Sequence, residues 1–203
     1  PMEYFEKVFE ALSKMDPSPK IQLFGGEPTV RQDLIELINM ARNKYDLSVR
    51  VVTNGLRLAD EDYCKRLLAT KAQLMFSFDG RDPKIYERTR KNPKALEKKL
   101  KGLENVSKHH RNRMTIMCCV ADEVNGDSMA DTVAYCHENR HFIDALDLIP
   151  LTAHWGPEEV EAQSATIEDV ERIMRREIPG MEFLPASLLY RVECLYKTFE
   201  MDR

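Results

Sequence analysis

The stretch IQLFGGEPTVRQDL, residues 21–34, leads from a short apolar run through two glycines, a glutamate and a proline into an amphipathic run. The apolar residues 21–24 predict a buried strand, and the run after Pro28 predicts a helix. Glycine lets the backbone approach a ligand closely, and Glu27 places a negative charge at that point. The turn therefore predicts both a strand-to-helix connection and a binding site for an ammonium group.

Short apolar runs of the same kind recur along the chain, and each is too short to form a helix. They lie at residues 21–24, 47–53, 73–78, 114–120 and 145–150. Continuous apolar runs are typical of strands that are buried on both faces of a parallel sheet. Amphipathic stretches separate these runs, so the sequence predicts an α/β fold with right-handed crossovers, either barrel-like or doubly wound.

Residues with helix-capping chemistry mark the predicted helix starts: Thr29 with Gln32 as a capping box, Asp60, Asn92 with Pro93, and Thr166 with Asp169. The third of these helices has a predicted buried stripe made of Leu96, Leu100, Leu103 and Val106. Two further helices are predicted at residues 2–14 and 188–201. A leading helix is unusual in this architecture, so a first strand is expected to precede it in the complete protein.

Composition and cysteine usage indicate an ordinary soluble protein of a reducing cytoplasm. The chain has 203 residues, of which 43% are hydrophobic and 32% are charged, and no apolar run approaches the 18 residues of a membrane-spanning helix. The five cysteines are odd in number and irregularly spaced, unlike a secreted disulfide framework. Cys64 and Cys136 are predicted to be small core residues. Cys118 and Cys119 are adjacent in one strand, so one of the two side chains is predicted to face the barrel interior and the other the helices.

Charge is distributed unevenly along the chain, whose net charge is −4. Residues 81–113 contain twelve Lys or Arg against four Asp or Glu. We interpret this basic region as the solvated outer face of a helix. The alternative is a docking surface for an acidic partner, a membrane or a nucleic acid.

Polar residues follow the predicted strands at their carboxyl ends, where parallel α/β folds bind ligands. Ser77 and Asp79 carry groups that bind hydroxyls or a carboxylate. Arg88 and Arg90 follow closely enough to pair with an anion. Together with the turn at Glu27, these residues predict a site for a zwitterionic amino acid joined to a sugar.

The ordered motifs LFGGEPT, VVTNG and SFDG with YERTR resemble the core of radical S-adenosylmethionine (radical SAM) enzymes over residues 20–150. The resemblance implies a partial (β/α)6 TIM-barrel-like parallel sheet with outer helices, whose first strand is missing from this chain. It also implies that residues 1–180 form the core with barrel strands 2 to 6, and that residues 181–203 form a C-terminal helical extension.

The resemblance implies S-adenosylmethionine as a cofactor, with its binding residues at matched positions. Gly25, Gly26, Glu27 and Pro28 match the stretch that binds the methionyl amino group. The next strand end of the family is matched by Thr53 and Asn54. The strand end that reaches the ribose or carboxylate is matched by Ser77 and Asp79. A further carboxylate contact is matched by Arg90, with Arg88 beside it.

The family's second cofactor is a [4Fe–4S] cluster held by a Cys-x3-Cys-x2-Cys loop, and this spacing is absent from the sequence. The intact amino-group motif favours truncation over degeneration, so the cluster ligands are expected upstream of Pro1. The chain alone is then inactive. Without the first strand, the strand at residues 21–24 exposes an edge, which predicts that the isolated fragment is either dimeric through that edge or poorly ordered there.

The implied activity is reductive cleavage of S-adenosylmethionine to a 5′-deoxyadenosyl radical, which abstracts hydrogen from a substrate. Electrons would come from a flavodoxin or a ferredoxin. The segments FGGEPTVR, FDG and ATIEDVERI are similar to those of tetraether-lipid synthase-like members, which favours a lipid or another apolar chain as substrate. The alternative is a degenerate, non-catalytic barrel that binds a nucleoside or a partner protein.

Overall fold

The sheet consists of five parallel strands, as seen in a computed structural model that describes residues 1–152, 162–180 and 182. The strands are β1 (Ile21–Leu23), β2 (Val49–Thr53), β3 (Gln73–Ser77), β4 (Met114–Val120) and β5 (Ile143–Pro150). Their order in the sheet follows their order in the chain, and every neighbouring pair is parallel. The predicted α/β fold with a parallel sheet is confirmed.

Helices connect the strands, and right-handed crossovers in a sheet of this order place them on one face. The helices are α1 (Met2–Ser13), α2 (Leu34–Asn39), α3 (Glu61–Ala69), α4 (Pro83–Arg90), α5 (Ala95–His109), α6 (Asp122–Asn125), α7 (Met129–Glu138) and α8 (Ile167–Glu177). A π-helical turn, Met40–Lys44, continues α2. All four connections therefore lead from the carboxyl end of one strand back to the amino end of the next.

Strand β4 shows which face of the sheet the helices cover. Its residues alternate between buried and half-buried from Met114 to Val120. Cys118 is fully buried and packs in one apolar cluster with Val170 and Ile173 of α8. Cys119 is half-buried on the opposite face, as the alternation of side chains along a strand requires. The predicted split between the two thiols is confirmed, and Cys64 and Cys136 are buried as predicted.

Two of the predicted helix caps are confirmed. The carboxylate of Asp60 accepts a hydrogen bond from Tyr63 N (3.1 Å) at the start of α3. Thr166 and Asp169 form a reciprocal capping box at the start of α8. In both cases the side chain accepts from one of the backbone N–H groups that the first turn of a helix leaves without an acceptor.

The predicted capping box at Thr29 is wrong. Residues Pro28–Val30 form a separate 3₁₀ turn, and α2 begins later, after Asp33. The cause is Glu27, whose carboxylate accepts from both the backbone N–H and the hydroxyl of Thr29. The Thr29 hydroxyl therefore donates toward the preceding residues and caps no helix.

The start of α5 and the phase of its buried stripe also differ from the prediction. Asn92 and Pro93 lie before the helix, because Lys91 adopts a left-handed conformation (φ 50°) that turns the chain out of α4. Leu100 is 37% exposed, whereas Lys99 is only 4% exposed. The buried face is centred on Gly102, where a Cβ atom would lie 2.9 Å from the carbonyl oxygen of Gly55. This close approach rotates Lys99 inward and Leu100 outward.

Two predictions fall outside the described residues, namely the helix at 188–201 and nearly all of the C-terminal extension at 181–203. Within the described ranges, no helix is long and apolar enough to cross a membrane. β1 lies at one edge of the described sheet and pairs with β2 on its other side.

Gly55→Ala is expected to destabilise the fold by about 3 kcal/mol, measured by chemical denaturation. Gly55 is left-handed (φ 78°), and an added Cβ would overlap the ring of buried Phe76. Gly180→Ala is the matched control because Gly180 is also left-handed (φ 87°) and has no described atom within 4 Å of its Cβ position. We expect it to cost about 1 kcal/mol or less. Equal losses for the two variants would contradict the role of the Phe76 contact.

Candidate functional site

The loop after β1 leaves the sheet at its carboxyl edge through two glycines. Gly25 and Gly26 both have positive φ angles, 100° and 48°, which favour glycine strongly over other residues. No atom of the described residues lies within 4 Å of the position that a Cβ would take at either glycine. Their conformation, and not tight packing, therefore requires glycine, and the turn borders open space. Pro28 follows and begins the 3₁₀ turn.

The carboxylate of Glu27 joins the ends of β1 and β2. Its Oε1 accepts hydrogen bonds from Thr29 N (3.0 Å), Thr29 Oγ1 (2.7 Å) and Thr53 Oγ1 (2.7 Å). Its Oε2 accepts from Asn54 N (2.6 Å) and from no other described group. A carboxylate oxygen has about two acceptor positions, so Oε1 is saturated and Oε2 can accept one more donor.

Asn54 is held on three sides at the end of β2. Besides the bond from its N–H to Glu27, its Oδ1 accepts from Leu56 N (3.0 Å), which stabilises the turn into the next helix. Its carbonyl oxygen accepts from Lys99 Nζ (2.7 Å). Thr53 fixes the same turn because its hydroxyl accepts from Gly55 N (3.1 Å). The predicted residues Glu27, Thr53 and Asn54 thus lie together in one hydrogen-bonded group.

Asp79 lies one strand further along, at the end of β3, and is 2% exposed. Its Oδ1 accepts from Cys119 N (2.9 Å), which ties β3 to β4. Burial raises the pKa of Asp79, and the Cys119 N–H and the charge of Lys99 partly offset that effect. Ser77 is also buried, and its carbonyl oxygen accepts from Lys99 Nζ (2.5 Å).

The two arginines that were predicted to contact a carboxylate have different surroundings in the structure. Arg88 donates to the carbonyl oxygen of Glu123, the residue after the start of α6. Arg90, at the end of α4, is exposed, and its charge lowers the pKa of Asp79. Arg90 therefore acts on the electrostatics of the site, whereas Arg88 is bonded to the main chain of α6.

Lys99 was missed as a site residue, because the sequence interpretation treated the basic region 81–113 as a solvated face. Its ammonium group bridges the carbonyl oxygens at the ends of β2 and β3 and lies 5.6 Å from the ring centroids of Phe76 and Tyr86. The available signal was its position, three residues after buried Leu96 and four before buried Leu103 on one helix face.

Asn125 was also missed, although it lies just beyond the strand-end loop after β4. Its Nδ2 donates to the carbonyl oxygens of Asp79 (2.9 Å) and Cys119 (2.8 Å), and its Oδ1 accepts from Ala121 N (3.1 Å). Its amide is fully used in joining the ends of β3 and β4. Nothing in the local sequence distinguishes this asparagine from a surface residue.

Lys99 predicts a pH dependence of stability. Burial lowers its pKa from the ordinary 10.5 to about 8, and the charge of Arg90 lowers it further. The charges of Asp79, Glu27 and Cys119 act in the opposite direction and raise the pKa. The folded state therefore disfavours the charged form, a cost that is fully present below pH 8 and disappears as the pH rises toward 10.5. Relative to Lys99→Met, the wild type should gain about 2 kcal/mol between pH 8 and 10 in denaturation experiments.

The comparison with Lys99→Met cancels the contributions of Cys64 and Cys136, because both proteins contain these thiols. Cys119 is cancelled in part, because the charge of Lys99 acts on its pKa. Burial raises the pKa of Cys119 and of Cys136 to about 11 and that of Cys64 to about 12. Parallel stability curves for wild type and variant between pH 8 and 10 would show that Lys99 is not held in a desolvated position.

The described residues do not fit an iron–sulfur cluster. Nowhere in residues 1–152, 162–180 and 182 do three His, Cys, Asp or Glu side chains come together as a metal-binding group. The buried thiols have raised pKa values, which disfavours the thiolate that iron requires. The glycine turn and Glu27, in contrast, fit an ammonium group.

This fold and this site define the class of the protein. The family model of the Radical SAM superfamily matches residues 1–136, and the chain belongs to that superfamily. Its members use S-adenosylmethionine and a [4Fe–4S] cluster. The resemblance to radical SAM enzymes that the ordered motifs indicate is confirmed at the level of the superfamily.

Particular relatives are enzymes of several kinds. The chain is 29% identical over 209 residues to a 7,8-dihydro-6-hydroxymethylpterin dimethyltransferase of Methanocaldococcus jannaschii, covering 99% of this chain and 41% of that protein. It is 27% identical over 154 residues to a probable GTP 3′,8-cyclase of Methanothermobacter thermautotrophicus, covering 75% and 49%. The chain thus spans less than half the length of these relatives.

The crystal structure of SuiB from Streptococcus suis has a similar fold. The TM-score is 0.66 at 17% sequence identity, and the match covers 87% of this chain and 39% of that one. The similarity supports the TIM-barrel-like arrangement of the parallel sheet.

Proposed function

We propose that this chain is the S-adenosylmethionine-binding part of an enzyme that cleaves this cofactor reductively. The observation that carries the proposal is the Glu27 carboxylate, whose Oε2 can accept one further hydrogen bond beside two left-handed glycines. The methionyl ammonium is a charged donor, and charge-assisted hydrogen bonds of this type are strong. When bound and cleaved, the cofactor supplies a 5′-deoxyadenosyl radical for hydrogen abstraction.

The neighbouring residues are assigned to the rest of the cofactor. Gly25 and Gly26 bring the main chain close to the amino acid moiety, and Pro28 directs the chain away from it. Thr53 and Asn54 hold the Glu27 carboxylate in place. Ser77 and Asp79, at the next strand end, are proposed to bind the ribose or the carboxylate, with Arg90 as a further carboxylate contact.

The cluster is proposed to be held outside this chain, by three cysteines upstream of Pro1 in the complete protein. Its electrons would come from a flavodoxin or a ferredoxin in the cytoplasm. The core would occupy residues 1–180, with 181–203 as a helical extension. β1 lies at an edge of the sheet formed by the described residues, which supports a dimer of the isolated chain through β1. Size-exclusion chromatography with light scattering tests it, and a monomer at micromolar concentration contradicts it.

The test of the proposal is an assay of the full-length protein, reconstituted with iron and sulfide under reducing conditions. We expect release of 5′-deoxyadenosine from S-adenosylmethionine. Binding of S-adenosylmethionine without cleavage would favour the alternative, a degenerate barrel that binds a nucleoside or a partner protein. If the protein neither binds nor cleaves S-adenosylmethionine, both the enzymatic function and the nucleoside-binding alternative are contradicted for this cofactor.

The substrate is proposed to be a lipid or another apolar chain, from the similarity of three sequence segments to tetraether-lipid synthase-like proteins. The relative from Methanocaldococcus jannaschii, whose name describes methylation of a reduced pterin, favours a second class. The same assay distinguishes them, since the true substrate increases the yield of 5′-deoxyadenosine and is itself converted. Conversion of the pterin alone would overturn the apolar-chain proposal.

A further inference from the structure

Lys99 occupies a position that an apolar residue would ordinarily fill. It lies on the inner face of α5 and is 4% exposed, between buried Leu96 and Leu103. Lysine is almost never fully buried unless its charge is paired. The ammonium group therefore needs acceptors, and it finds them in the carbonyl oxygens of Asn54 (2.7 Å) and Ser77 (2.5 Å).

Two hydrogen bonds, one to each peptide group that flanks the Cα atom of Asn54, connect this lysine with the glutamate of the glycine turn. Lys99 Nζ donates to the carbonyl oxygen of Asn54, and the N–H of the same residue donates to Glu27 Oε2 (2.6 Å). The main chain of Asn54 is thus held from both sides. Oε2 is the oxygen that can accept a further hydrogen bond. Because Asn54 N donates to Oε2, the orientation of Asn54 determines the direction from which a further donor can approach that oxygen.

We propose that Lys99 is a positioning residue, which holds Asn54 and thereby aims Glu27 Oε2 at the ammonium group of a bound amino acid cofactor. This inference rests on the proposed function, because it takes the ligand to be S-adenosylmethionine. Lys99 contacts main-chain carbonyls, so its effect on the cofactor passes through Asn54 and Glu27. The helix α5 is in this way coupled to the turn after β1, although the two are far apart in sequence.

The proposal has a signature that a purely structural role lacks. If Lys99 acts through Glu27 Oε2, its loss should weaken ligands that carry the methionyl ammonium and leave a desamino analogue of S-adenosylmethionine nearly unaffected. A general loosening of the site would weaken both ligands to the same extent.

The experiment measures the dissociation constants of both ligands for the full-length reconstituted protein. Lys99→Met removes all donors, and Lys99→Gln keeps an amide donor on a shorter side chain. Lys98→Met is the matched control, an exposed lysine on the same helix. We expect Lys99→Met to weaken S-adenosylmethionine binding about tenfold, with less than a twofold change for the desamino analogue and an intermediate result for Lys99→Gln.

Each outcome has one meaning. A wild type that binds both ligands equally contradicts the proposed function itself, since Glu27 would then not bind the ammonium. A wild type that prefers S-adenosylmethionine, with the same preference in Lys99→Met and Lys99→Gln, overturns the role of Lys99 alone. Equal weakening of both ligands in these variants also overturns it. If Lys99→Met does not fold, the result for Lys99→Gln decides.

Discussion

Glu27→Gln is expected to weaken binding of S-adenosylmethionine to the full-length protein by about 30- to 100-fold, measured by equilibrium dialysis. The substitution keeps the shape of the side chain but removes the negative charge that would face the ammonium. Loss of a hydrogen bond to a charged group costs about 1.5–3 kcal/mol. The expected range of affinities corresponds to about 2–2.8 kcal/mol, in the upper part of that interval. The new amide also places an N–H2 group toward donors that the carboxylate accepted, such as Asn54 N.

A matched control separates the loss of charge at the site from a general change in charge. Glu36→Gln removes an exposed carboxylate from the first turn of α2, and we expect its affinity to equal that of the wild type within twofold. Thermal unfolding of both variants shows whether the fold persists. Wild-type affinity in a folded Glu27→Gln protein would exclude Glu27 from cofactor binding.

Asp79→Ala is expected to lower the free energy of unfolding by about 3 kcal/mol at pH 7. It leaves Cys119 N without its acceptor and removes the negative charge next to the buried ammonium of Lys99. Unpaired buried donors and charges are among the most destabilising changes in a protein. Asp79→Asn retains an oxygen for Cys119 N, and we expect it to cost about 1 kcal/mol.

The control for Asp79 is Asp127→Ala, because the side chain of Asp127 is 98% exposed and forms only a surface ion pair with Arg176. Such pairs contribute little, so the expected change is within about 0.5 kcal/mol. If Asp79→Ala and Asp79→Asn were equally destabilising, the bond to Cys119 N would not be what holds the ends of β3 and β4 together.

The strands and their carboxyl-end residues could be predicted because local sequence determines them. Each strand is a short apolar run, and residues such as Glu27, Thr53 and Asp79 lie at the end of a run or within three residues after it. Parallel strands place these residues at one edge of the sheet whatever the details of packing. The hydrogen bonds between Glu27 and the end of β2 agree with that expectation.

The contribution of α5 could not be predicted in the same way. When only apolar residues are counted, a helical stripe through Leu96, Leu100 and Leu103 is a better pattern than one through Leu96, Lys99 and Leu103. The choice depends on the close approach of Gly102 to the Gly55 carbonyl, a tertiary contact between distant segments. Lys99 can be assigned to the inward face of the helix only when that contact is known.

The erroneous cap at Thr29 has a related cause. Thr29 and Gln32 have the right chemistry and spacing for a capping box, so local sequence favours it. Glu27 competes for the same hydroxyl and also accepts from Thr53, which is 26 residues further along the chain than Glu27. The tertiary hydrogen bonds therefore override the local preference, and they do so at the residue assigned to the cofactor.

A crystal structure of the full-length, reconstituted protein with bound S-adenosylmethionine would show whether Glu27 binds the methionyl ammonium. The quantity to measure is the distance between the methionyl nitrogen and Glu27 Oε2. We predict a hydrogen bond of about 2.7–3.2 Å, with Asn54 N still donating to the same oxygen. A methionyl nitrogen held by other groups, more than about 4 Å from Glu27, would contradict the account.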